Sequence, residues 1–169
     1  MDYRFRDLVI KVKTWANECG ILSTYSGYLS SYSFTLMVIY FLQHCNEPIL
    51  PDLQTILGDD FFKSCLFDTR EENFRKLDII RDLSPKYITR ENYCSVDELF
   101  IKFLKFYEEM KFSKQINISS KRIIPHVQEH PNDSFIYVTD PFDKINIATA
   151  VRCEKAFHNI LTSFSEWRL

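Results

Sequence analysis

The sequence predicts a mostly α domain with a small β element. Three observations carry that class. Apolar residues recur at helical spacing near both ends of the chain, and only three glycines interrupt its 169 residues. Strand-like segments are confined to two short runs, "KQINIS" and "SFIYVT". The length fits one domain, and the 46% apolar content supplies a core rather than a disordered chain.

The first element is an amphipathic helix from about Tyr3 to Cys19, with Phe5, Leu8, Val9, Val12, Trp15 and Ala16 on its apolar side. Gly20 is placed to stop it. The polar connection "ILSTYSGYL" leads to a second helix, from about Ser30 to His44, apolar nearly all round and therefore central. "NEPILPDLQTILG" reads as a Pro-punctuated turn and a short helix ending at Gly58. Residues 59–94 carry no motif; within them "REENFRKLDIIRDLSP" is charged and reads as a solvated helix. "SVDE" then has the form of a capping box, Ser95 with Glu98, opening a helix marked by Leu99, Phe103, Leu104, Tyr107 and Met110. After the two strand-like runs, "DPFDKIN" predicts a tight turn. A last helix follows from about Ile147 to Trp167, with Val151, Ala156, Phe157, Ile160, Leu161 and Phe164 as its face.

A formal net charge of -2 gives no global pull towards nucleic acid, so any anion site must be local. The five cysteines, at 19, 45, 65, 94 and 153, are odd in number and scattered, with no CxxC. Reduced thiols in an intracellular protein are the expectation. "MDYRFRDLVIKVK" lacks a signal-peptide core, and the apolar run Phe34–Leu42 is too short for a bilayer, so no membrane partner is expected.

Two places carry candidate chemistry. Ser30, Ser31 and Tyr32 sit where the second helix begins, and a helix start leaves N–H groups without partners and carries partial positive charge. Ser30 or Ser31 can serve as an N-cap, worth about 1 kcal/mol. The same groups can instead bind a phosphate, with Tyr32 offering a ring face to a base and Lys13, on the preceding helix, a neutralising charge. The second place is "DPFD" with Asn146: Asp143 and Asn146 would meet at another helix start, where a carboxylate beside an amide can read a base edge. The plainer alternative is a capped turn, with Asp140 bonding the local backbone and Asn146 capping the helix. Lys102, Lys105, Lys111, Lys114, Lys121 and Arg122 read as a solvated face, with an RNA-tracking path as the alternative. There is no Asp-x-Asp pair, P-loop, His-Glu-x-x-His or nucleophile arrangement, so no catalytic residue and no metal ligand is assigned.

The elements K-x-W-A, L-S-S-Y and D-P-F-D, in that order, together with "VDELFIKFLKFYEEM", resemble the template-independent RNA nucleotidyltransferases of the DNA polymerase β superfamily. These are the cytoplasmic poly(A) polymerases and terminal uridylyltransferases. The likeness covers roughly residues 4–58 and 95–167, the helical central domain with its poly(A)-polymerase-associated segment. It implies one domain over 1–169: a nucleotide-binding part over 1–58, a variable connection over 59–94, and an associated segment over 95–169 with a recognition loop near 140–146.

The resemblance further implies that Lys13 and Ser31 contact a nucleoside triphosphate, that Tyr32 stacks on the base, and that Asp143 and Asn146 belong to the recognition loop. Uridine-specific members tend to carry a His in that loop; its absence here points to ATP. A complete enzyme would use Mg²⁺ or Mn²⁺ with ATP on an RNA 3′ end, and would work with an RNA-binding protein partner in the cytoplasm or nucleus. Three departures stand out. Asn17 occupies the place of a second lysine, Thr149 that of an Arg, and the catalytic half with its metal-binding aspartates is not in this chain. It would have to be supplied in cis or trans. A catalytically inactive scaffold and a uridylyltransferase fragment are the alternatives.

Overall fold

In the computed structural model, the described residues are 3–52, 92–120 and 122–166. Four α-helices organise them: α1 (Tyr3–Glu18), α2 (Ser31–His44), α3 (Val96–Met110) and α4 (Glu154–Glu166). The short helix expected to end at Gly58 and the 59–91 stretch lie outside the described residues.

α1 ends where the sequence says it should. Gly20 takes φ +68°, its N–H donates to Asn17, and the Ile21 N–H donates back to Ala16. That is a Schellman closure, and it needs a residue without a Cβ penalty in the left-handed region. Ile21 then turns inward and is buried.

α2 is the central rod, burying nine side chains along its length. Trp15 of α1 meets Phe34 of α2, Phe100 of α3 and Phe164 of α4, with ring centroids 6.3, 6.0 and 4.9 Å away. One indole thus touches all three other helices. Tyr107 of α3 is fully buried and donates its hydroxyl to the Met37 carbonyl at 2.8 Å, satisfying a group that would otherwise cost free energy in the interior. α3 opens with the predicted capping box: the Ser95 N–H donates to Glu98 Oε2 at 2.7 Å, and the Glu98 N–H donates to Ser95 Oγ at 3.3 Å.

The β element is smaller than the sequence suggests. The two strand-like runs meet at a single parallel bridge, Ile116 with Val138, and further single bridges join Lys114 to Pro125 and Thr139 to Asn146.

The last helix is the main correction. It begins at Glu154, not near Ile147. Residues 146–151 are held alongside 134–138 instead: Ile147 donates to Val138 at 2.9 Å, Phe135 donates to Val151 at 2.8 Å, and the buried Ser134 hydroxyl donates to Ala148 at 2.6 Å. Long-range hydrogen bonds outweigh the local helical pattern over those residues. Val151 is still core, but it belongs to the approach to α4 rather than to its face.

Candidate functional site: the start of α2 and the Asp-Pro-Phe-Asp turn

Ser30 is the N-cap of α2. Its Oγ accepts from the Ser33 N–H at 2.9 Å and lies 2.8 Å from the Ser33 hydroxyl, which is itself completely buried. Ser31 and Tyr32 therefore occupy the first two helical positions, both exposed, in a first turn that contains no acidic residue. Neither backbone N–H has an acceptor among the described residues. The cap thus fixes the start of the rod without closing it.

Tyr32 is 42% exposed, so its ring is available to a ligand. Its hydroxyl is not idle. Partial burial, the negative charge of the neighbouring Asp140 carboxylate and the charge of Asp143 together push the phenol up to about 12. This interaction brings the start of α2 and the Asp-Pro-Phe-Asp turn into one site.

Asp140 holds that turn in shape. It is 9% exposed; its Oδ1 accepts from the Phe142 N–H at 2.8 Å and the Asp143 N–H at 3.4 Å, while its backbone exchanges bonds with Ile145 and Lys144. Lys144 adopts φ +64° and its ammonium donates to the Pro141 carbonyl at 2.6 Å and to Ser119 Oγ at 2.8 Å. Asp143 stands exposed at the rim, its Oδ1 accepting a long bond, 3.3 Å, from the Ile145 N–H.

Asn146 does something the sequence did not reveal. Its Oδ1 accepts from Val138 and Ala148 at 3.0 and 2.9 Å, and its Nδ2 donates to Ile136 at 3.0 Å. With no helix start at this point, it caps nothing; it pins the end of the Asp-Pro-Phe-Asp turn to the segment behind it. It also borders a cleft of about 480 Å³ shared with His126, Tyr137, Thr149 and Arg152.

Lys13 is half-buried on the turn of α1 that meets the first turn of α2 through Trp15 and Phe34, and it makes no ion pair with a described residue. Of the five residues singled out by sequence, Tyr32 and Asp143 are brought together electrostatically, Ser31 adjoins them, and Asn146 acts from behind. Asp140 and Ser33 were missed as site residues. Asp140 is visible in the motif, but its role in the turn accounts for it without a ligand.

The site does not suit a metal ion. One oxygen of Asp140 already serves two amides, and the Tyr32 phenol lies close to the same carboxylate. Among the described residues no group of three or more His, Cys, Asp or Glu side chains converges on a point.

No family model matches the chain. It is 32% identical over 167 residues to poly(A) RNA polymerase GLD2-B of Xenopus laevis, covering 97% of this chain and 31% of that protein. It is 34% identical over 169 residues to poly(A) RNA polymerase GLD2 of Danio rerio, covering 98% and 33%. The chain thus spans about a third of the length of the curated relatives it matches. Among solved structures, a cytoplasmic RNA terminal U-transferase superposes with a TM-score of 0.65 at 26% identity, over 97% of this chain and 52% of that one. The Cid1 poly(U) polymerase bound to MgATP gives 0.68 at 26%, over 97% and 49%. The likeness is to template-independent RNA nucleotidyltransferases, and to one part of them.

Proposed function

We propose that this chain, one part of a template-independent RNA nucleotidyltransferase, binds and selects the incoming nucleotide during RNA 3′-end tailing, and that the nucleotide is ATP. The observation that carries this reading is the tie between Tyr32 and Asp140, which sets an exposed aromatic face beside an open helix start and an exposed carboxylate.

Each group then has a task. The N–H groups and hydroxyl at Ser31 receive the triphosphate, aided by the helix's partial positive charge and by Lys13. Tyr32 stacks on the base, an interaction worth about 1–3 kcal/mol. Asp143 accepts a hydrogen bond from the adenine amino group, and Asn146 fixes the loop that presents it. Asp140 positions the Tyr32 ring. Divalent metal, held by a catalytic domain in cis or trans, would supply charge stabilisation for attack of the RNA 3′-hydroxyl on the α-phosphate. The residues of this chain hold the nucleotide for that attack. A cytoplasmic setting, mRNA as substrate and an RNA-binding protein partner go with this reading.

The test is a titration of the chain with ATP and with UTP. Binding that favours ATP and disappears in Tyr32→Ala supports the assignment; equal affinities, or a UTP preference, overturn the ATP choice. A noncatalytic scaffold is the second reading, favoured by Asn17 and Thr149, both exposed and uncharged where the resemblance places cations. It predicts no binding of either nucleotide at millimolar concentration.

A further inference from the structure

Away from the nucleotide site, a second cluster joins the end of α2 to the start of α3. Cys45 is the C-cap of α2, and Cys94 immediately precedes the N-cap of α3. Lys102, two turns into α3, donates its ammonium to Cys94 Sγ at 2.9 Å. Cys45 Sγ donates to the Glu47 carbonyl at 3.3 Å, and Asn92 Nδ2 donates to that same carbonyl at 2.7 Å. Asn92 Oδ1 in turn accepts from the Cys94 N–H at 3.0 Å. One asparagine side chain therefore ties the two cysteine-bearing segments together, with an ammonium over one sulfur.

We propose that Cys94, Lys102 and Cys45 form a peroxide-sensitive thiol pair, in which Cys94 is oxidised first and Cys45 closes a disulfide onto it. Nucleophilic thiols sit in electropositive, partly exposed surroundings, and Cys94 is half-buried beside a cation. Burial pushes the Cys45 thiol up, which suits a group that waits protonated, and the hydrogen bond with Cys94 raises the Lys102 ammonium, keeping it charged. Cys19 and Cys153 are exposed free thiols to which no described lysine donates, and they serve as internal controls.

The chemistry balances with a hydroperoxide as oxidant. The Cys94 sulfur attacks one peroxide oxygen, the O–O bond breaks, and hydroxide leaves to take up a proton, giving a sulfenic acid. Cys45 Sγ then attacks that sulfur; the S–S bond forms and the sulfenic oxygen leaves as water with the Cys45 proton. Two thiols lose two electrons, and hydrogen peroxide becomes two waters. The product staples the end of α2 to the entry of α3.

The test treats the 169-residue chain with hydrogen peroxide and maps its peptides by mass spectrometry. The expected product is a Cys45–Cys94 linked peptide. In Cys45→Ser, a sulfenic acid on Cys94 is expected instead, trapped by dimedone. Lys102→Met, at an exposed position that leaves the core intact, should slow Cys94 oxidation about tenfold. Oxidation of Cys19 or Cys153 as fast as Cys94, linkage through any other pair, or an unchanged rate in Lys102→Met would overturn the proposal.

Discussion

Two helix starts in this molecule use the same residue as a cap and end up with opposite properties. α3 begins at Ser95 and α2 at Ser30, and in each the serine hydroxyl accepts from the N–H three residues on. At α3 that third residue is Glu98, whose carboxylate folds back on the Ser95 N–H and hydroxyl, with Asp97 beside it in the first turn. At α2 the third residue is Ser33, buried and neutral, and the turn has no acid. The positive end of α3 is satisfied by its own side chain. That of α2 has no such acid, and it lies next to an exposed tyrosine and a carboxylate-bearing turn. Capping chemistry alone does not decide how a helix start is left; the residue at the third position determines whether a carboxylate closes it.

The largest effect expected is on binding. Tyr32→Ala removes the stacking face and should weaken ATP affinity by about five-fold to more than a hundredfold, the equivalent of about 1–3 kcal/mol per stacked base. Because the ring is partly exposed, thermal stability should move little. Isothermal titration and a melting curve on the same variant separate the two effects.

Next come the caps themselves. Ser30→Ala and Ser95→Ala should each cost about 1 kcal/mol in denaturant unfolding. Only Ser30→Ala should also weaken ATP binding, because only α2 is proposed to receive the triphosphate. Equal loss of nucleotide affinity in both would break the contrast.

Ser31→Asp sharpens it further by separating stability from function. An acid in the first turn should stabilise α2 by about 0.3–1 kcal/mol while repelling the triphosphate. A more stable protein that binds ATP less well is the expected outcome. Tighter binding would mean that the phosphates lie elsewhere.

The smallest effects are protonic. The Tyr32 phenol should ionise near 12 rather than near 10, and Asp140→Asn should bring it down, as followed by the absorbance of phenolate on raising pH. Its folded value is raised, so the contribution to stability is complete below the unfolded value and is lost as pH climbs through the folded one. Glu98 runs the other way. The Ser95 backbone N–H holds its carboxyl below the usual range, so its contribution is present above the unfolded value and fades as pH falls through the folded one.

What could be read in the sequence was mainly what neighbouring residues decide. The Gly20 stop, the Ser95–Glu98 box and the central character of α2 all follow from residues within a turn or two of each other. The start of α4 did not, because Ser134, Phe135 and Val138 hold residues 147–151 from a distant part of the chain. For the same reason Asn146 looked like a helix cap and proved to be a pin between loop segments. Tyr32 and Asp143 could be singled out individually. Their meeting through Asp140 is a tertiary fact, with no local signal to announce it.

The central claim is that nucleotide phosphates settle on the start of α2 and not on that of α3. Amide chemical-shift mapping by NMR during an ATP titration tests it most directly. The account predicts shifts at Ser31, Tyr32 and Ser33, with Asp143 following, while Val96, Asp97 and Glu98 stay put. Shifts at the α3 start, or silence at both, would contradict it.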